Sequence, residues 1–131
     1  AIMKSLGLDF KEAEKIKVKD GIDGFDEKNP IFKAVNPLLE NLVVEIVKTM
    51  DFYGEMSGQP EGIGKIILCG GGSNMKGMAQ YLNQRIKKDV FLGDPWINLN
   101  LGSNLPPINK ETSVRYNTAI GLAIRGLNYG N

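Results

Sequence analysis

Apolar residues along this chain fall into helical spacing more often than into alternation. In NPLLENLVVEIVKTMDFYGEM, residues 36–56, Leu38, Leu39, Leu42, Val43, Ile46, Val47 and Met50 recur at three- and four-residue intervals. The wide stripe predicts a long helix buried against a sheet or another helix. Asn36 and Pro37 supply its N-cap and first position. A shorter helix is predicted over LDFKEAEKIKVKDG, residues 8–21, with a modest stripe of Leu8, Ala13 and Ile16. Asp9 is its N-cap, Glu12 three residues later completes a capping box, and Gly21 suits its end. The glycine- and aspartate-rich segment that follows, with DGIDG at 20–24, reads as a surface turn.

KIILC, residues 65–69, is short, β-branched and apolar throughout, as in a strand covered on both faces of a parallel sheet. NMKGMAQYLNQRIKKD, residues 74–89, places Met75, Met78, Ala79, Leu82 and Ile86 on one side of a helix. VFLG at 90–93 is a second strand that Asp94-Pro95-Trp96 ends. Strand, helix and strand predict a right-handed crossover. A polar connection over 97–112 leads to a last helix, SVRYNTAIGLAIRGL, capped by Thr112 or Ser113. Ala119, Gly121 and Ala123 keep its contacting face small. The fold class is therefore α/β. Two strands make a marginal sheet in water, so the pattern predicts further strands elsewhere.

Composition narrows the function more than the fold. The chain has 131 residues, 16 basic and 15 acidic side chains and a net charge of +1. It lacks the basic footprint of a nucleic-acid binder. It has no apolar run long enough to insert in a membrane, and residues 1–10 lack the plan of a signal peptide. Histidine is absent and Cys69 is the sole cysteine. Histidine-dependent triads and histidine-containing metal sites are excluded within the chain, and a reducing, cytosolic compartment fits.

Three features are candidates for chemistry. Gly70-Gly71-Gly72-Ser73 follows a strand and leads into a helix, where backbone N–H groups gather and no Cβ hinders a phosphate or nucleotide. It matches neither GxGxxG nor the P-loop. On the stretch alone, a tight turn with Ser73 or Asn74 as N-cap is the favoured account. Glu14 and Lys17, at i and i+3, offer a carboxylate acceptor and an ammonium donor to a hydroxylated ligand, or only a solvated ion pair. DGIDG lacks the ligand spacing of a calcium loop.

Together, EAEKIK, VVEIVKTMDFYGEM, KIILCGGGSNMKGMAQYL and NTAIGLAIRGL resemble the C-terminal part of the type IV pilus assembly ATPase PilM family. That family is related to the division protein FtsA and the actin/Hsp70 ATPases. The resemblance implies a partial actin-like, ribonuclease H-like subdomain with short parallel strands and packed helices. Residues 1–36 would belong to a smaller inserted subdomain, and 37–131 to the larger subdomain of the second lobe. It implies that Gly70, Gly71, Gly72 and Ser73 are the adenosine motif of an ATP site between lobes, with Glu14 and Lys17 on ribose and base.

The family's two phosphate loops and its magnesium-positioning acidic residues have no counterpart here. The resemblance therefore implies a weak ATPase only in the longer protein, with the magnesium ligands outside this chain. It further implies nucleotide-dependent switching of partner binding. PilN and similar inner-membrane proteins would dock through the first lobe, at the inner face of the cytoplasmic membrane, and self-association is left open. Two alternatives stand beside it. One is an FtsA-like division protein, disfavoured because GLNYGN ends the chain where that family carries an amphipathic membrane helix. The other is a non-enzymatic interaction module whose glycine turn is structural.

Overall fold

The computed structural model describes residues 1–58, 62–97, 99, 108 and 110–129. The connection expected over 97–112 lies outside them at 98, 100–107 and 109. The elements run α1 (Ile2–Leu6), α2 (Phe10–Lys19), α3 (Pro30–Ser57), β1 (Lys65–Leu68), α4 (Met78–Ile86), β2 (Asp89–Leu92), α5 (Lys110–Ser113) and α6 (Asn117–Tyr129). Short 3₁₀ turns occupy Asp23–Phe25, Gly71–Asn74 and Val114–Tyr116. Two compact units divide the chain. The first holds Ala1–Ile66 and Met75–Phe91, the second Ile67–Asn74 and Leu92–Asn131.

Local capping chemistry sets α2 as expected. Asp9 accepts from the Glu12 amide at 2.7 Å, and the Glu12 side chain accepts from the Asp9 amide, closing the capping box. Asp20 and Gly21 both donate to the Ile16 carbonyl and end the helix.

Helix α3 starts earlier than its strongest stripe suggests. Asn29, not Asn36, is the N-cap, accepting from the amides of Ile31 and Phe32, and Pro30 takes the first position. The chain carries the Asn-Pro signal twice, and the first one begins the helix. Pro37 then sits inside α3, which costs about 3 kcal/mol. Burial of Ile31, Phe32 and Val35 in the preceding turns, at about 1.5–3 kcal/mol each, outweighs that cost.

The core of the first unit gathers Ala13, Ile22, Ile31, Phe32, Val35, Leu39, Met75, Tyr81, Leu82 and Val90. Phe25, Phe32 and Tyr81 form an aromatic triangle with centroids 5.5–6.4 Å apart. The Tyr81 hydroxyl reaches Glu40 Oε1 at 2.8 Å and Asn36 Oδ1 at 3.2 Å, and Arg85 pairs with Glu40. These contacts tie α4 to α3.

The expected burial of the α3 stripe ends at Leu39. Leu38, Leu42 and Val47 are exposed, as are Val44, Phe52, Tyr53 and Met56 beyond the expected stripe. The strands β1 and β2 form a two-stranded sheet. Gly93, just past β2, donates to Leu68 at the end of β1, so the strands run the same way. Ile67 and Phe91 are exposed, so β1 is not covered on both faces by the described residues.

In the second unit, Val114 and Ser113 are fully buried. The last helix also differs from expectation. A short helical turn and a 3₁₀ turn precede it, and α6 begins at Asn117 rather than after Thr112 or Ser113. Ala119, Gly121 and Ala123 are exposed, and Gly121 has open space where a Cβ would stand.

Candidate functional site

The glycine stretch lies in the second unit and connects β1 to a 3₁₀ turn rather than directly to a helix. Gly70 has φ +88°, a conformation that glycine alone adopts without strain. Its amide donates to the Val114 carbonyl at 3.2 Å. Its carbonyl accepts twice from Ser73, from the amide at 3.1 Å and from Oγ at 2.6 Å. Neither Ser73 nor Asn74 caps α4, contrary to the sequence expectation. Helix α4 starts at Met78, with Gly77 as N-cap and no side-chain cap. The field of that helix therefore begins beyond the turn, and the amides over the glycines belong to the turn itself.

The three glycines have different physical explanations. Gly70 is required by its backbone angle. Gly71 and Gly72 lie outside the left-handed region. A Cβ at Gly71 would meet only Arg115 Cγ at 3.8 Å, an ordinary contact, and one at Gly72 would meet nothing within 4 Å. Among the described residues, neither backbone strain nor packing calls for glycine at 71 or 72. Asn74 closes the turn nine-tenths buried, its Oδ1 without a hydrogen-bond partner among the described residues. A buried orphan acceptor costs about 1–3 kcal/mol.

Glu14 and Lys17 lie in the first unit, on α2. Lys17 Nζ donates to Glu14 Oε1 at 2.6 Å, with side chains 15% and 29% exposed respectively. The expected i,i+3 pair is therefore formed, and it is more enclosed than a freely solvated pair. The Lys17 carbonyl accepts from the Lys76 amide.

The DGIDG segment is not simply a surface turn. Gly21 is buried, Ile22 is fully buried, and the Ile22 amide donates to the Lys76 carbonyl at 2.9 Å. Asp23 pairs with Lys76 at 2.9 Å, and this contact holds the Asp23 carboxyl below and the Lys76 ammonium above their ordinary ranges. Sequence reasoning missed Lys76 and Gly77 altogether. Their one visible sign is the glycine of MKG, placed where a helix was expected to continue.

Two surface grooves lie in the first unit. One, of about 480 Å³, is lined by Gly64, Asn83, Gln84, Lys87, Lys88 and Asp89. The other, of about 370 Å³, lies between α3 and the start of β1, with Ile46, Met50 and Ile66 on its walls. None of the six candidate residues lines either groove. Among the described residues no group of three acidic, histidine or cysteine side chains is placed to hold a metal. No described helix is long and apolar enough to cross a membrane.

Fold and turn together define an α/β chain in which two short parallel strands, joined through a glycine turn and a helix, pack with further helices. The profile of the type IV pilus assembly protein PilM matches residues 1–127, and the chain belongs to that family. Among solved structures, the chain is similar to one described as a PilM–PilN type IV pilus biogenesis complex, at 25% identity and a TM-score of 0.69. The match covers 95% of this chain and 34% of that one, so the chain spans about a third of its neighbour's length. No curated protein matches.

Proposed function

We propose that this chain supplies the adenosine side of an ATP site in an actin-like protein of type IV pilus assembly. One observation carries the reading: among the described residues neither backbone angle nor packing calls for glycine at 71 or 72, since a Cβ would meet only Arg115 Cγ at 3.8 Å at Gly71 and open space at Gly72. A ligand that must lie against the backbone provides the reason. Gly70 shapes the turn and Ser73 holds it closed through the Gly70 carbonyl, so that the backbone at Gly71 and Gly72 can lie against the nucleotide. Glu14 and Lys17 supply an acceptor and a donor for the ribose hydroxyls and the base.

Within this reading the chain is the C-terminal part of a second lobe. Residues 1–36 belong to a smaller inserted subdomain and 37–131 to a ribonuclease H-like larger one. Magnesium and the phosphate-cleaving groups are held outside this chain, and the longer protein is at most a weak ATPase. ATP occupancy would shift a two-state equilibrium and with it the affinity for membrane-bound partners. The similarity to a PilM–PilN complex supports a PilN-like partner, and the family resemblance would have it dock through the other lobe at the cytoplasmic side of the membrane.

The family match supports the pilus reading over a division protein. The exposed Phe52, Met56, Leu122 and Leu127 favour the rival reading of an interaction module with a structural turn. Calorimetric titration of ATP into full-length wild type and Gly71→Val separates the two. The nucleotide reading expects binding that the substitution abolishes. Equal affinity in a folded variant sinks it.

A further inference from the structure

Within the first unit, the segment just past the glycine turn crosses the DGIDG loop at very close range. The Lys76 amide donates to the Lys17 carbonyl at 3.3 Å, and the Ile22 amide donates back to the Lys76 carbonyl at 2.9 Å. A Cβ at Gly21 would strike Lys76 Cβ at 2.7 Å and its amide nitrogen at 2.8 Å, and would press harder still on its carbonyl oxygen. A Cβ at Gly77 would stand 3.0 Å from the Asp23 amide nitrogen and 3.1 Å from the Ile22 carbonyl carbon. Both glycines also have positive φ, +53° and +84°. Two backbone segments distant in sequence thus meet with no room for a side chain, and reciprocal hydrogen bonds hold the crossing. Ile22, fully buried, and the Asp23–Lys76 ion pair flank it.

We infer that this crossing is a positioning clasp for the nucleotide site, with Gly21 and Gly77 as its positioning residues. The inference rests on the ATP reading given above. The clasp fastens residues 75–77 to the carboxyl end of the helix that bears Glu14 and Lys17, and so sets that helix within the first unit. Neither glycine touches ligand. Each lets the backbone of Lys76 lie where a side chain would displace it. The exposed part of the DGIDG loop is therefore incidental, and its buried centre has the role.

The test uses the full-length protein, titrated by calorimetry with ATP and separately with tripolyphosphate. Gly21→Ala adds strain and a clash at the crossing, so ATP affinity is expected to fall about tenfold or more. Tripolyphosphate affinity, which does not depend on the helix bearing Glu14 and Lys17, stays within about twofold of wild type. Loss of both to the same extent, or of neither in a folded variant, overturns the positioning role. A wild type that binds no ATP overturns the nucleotide reading and the clasp with it. A second measurement needs no substitution: in wild type, bound ATP should slow hydrogen exchange at the Ile22 and Lys76 amides. ATP binding without that slowing overturns the clasp and leaves the nucleotide reading standing.

Discussion

Removing the Tyr81 hydroxyl tests how α4 is fastened beneath the aromatic triangle. The ring is 4% exposed, and its hydroxyl has a single hydrogen to give. The shorter contact, 2.8 Å, is to the Glu40 carboxylate. A hydrogen bond to a charged group is worth about 1.5–3 kcal/mol net. Glu40 is 41% exposed and also bound by Arg85, so solvent and the guanidinium recover part of the loss. Tyr81→Phe should therefore cost about 1 kcal/mol, whereas Tyr81→Ala, which removes the ring from both phenylalanines, should cost about 3–5 kcal/mol.

The pH dependence follows from the same contacts. The Tyr81 hydroxyl first, and Arg85 second, hold the Glu40 carboxyl below its ordinary range. Its stabilisation is full above the ordinary carboxylate value and is lost as pH falls through the depressed one. Burial first, then the bond to Glu40, pushes the Tyr81 phenol up to about 12. That contribution is full below the ordinary value of 10.0 and is lost as pH rises toward about 12. Urea unfolding of the full-length protein, followed by circular dichroism, should show the wild-type advantage over Tyr81→Phe at neutral pH. The advantage should narrow at both ends. Equal stability of the two proteins at neutral pH, or a difference that grows on acidification, would refute this account of the contact.

Three further outcomes follow from the same structure. Gly93→Ala places a Cβ 2.9 Å from Cys69 Sγ and 3.1 Å from the Leu68 carbonyl oxygen. It should cost about 1–3 kcal/mol in thermal unfolding, and adding Cys69→Ala should recover part of that. Asp9→Ala removes one side of the capping box and should lower stability by about 0.5–2 kcal/mol, read from the unfolding midpoint. Glu14→Ala should weaken adenosine binding more than tripolyphosphate binding in competition titrations; an equal loss for both argues against a ribose role.

What could be read from the sequence was what local chemistry decides. The capping box of α2 needs only residues 9 and 12, and it formed as expected. The Glu14–Lys17 pair likewise needs only helical spacing. The start of α3 was misplaced because the choice between two Asn-Pro pairs depends on the aromatic cluster that Phe32 joins, a non-local fact. The stripe from Leu42 to Met50 shows that a face is apolar, not that anything in this chain covers it.

At the candidate site, the strand and glycine turn were legible as local signals. The 3₁₀ turn and the late start of α4 were not, because Gly77 owes its place to the backbone at Ile22 and Asp23. The buried centre of DGIDG was hidden for the same reason. An Asp-Gly pair signals a turn, but not that another strand of backbone will lie on it.

The most direct test of the nucleotide reading is the thermal unfolding of full-length wild type and Gly72→Val, each with and without ATP. A side chain at Gly72 enters open space, so without ATP the two midpoints should agree. With ATP the wild-type midpoint should rise, as for any ligand that binds only the folded state, and the variant's should not move. An equal ATP-induced rise in both proteins would contradict the claim that the nucleotide lies against this turn.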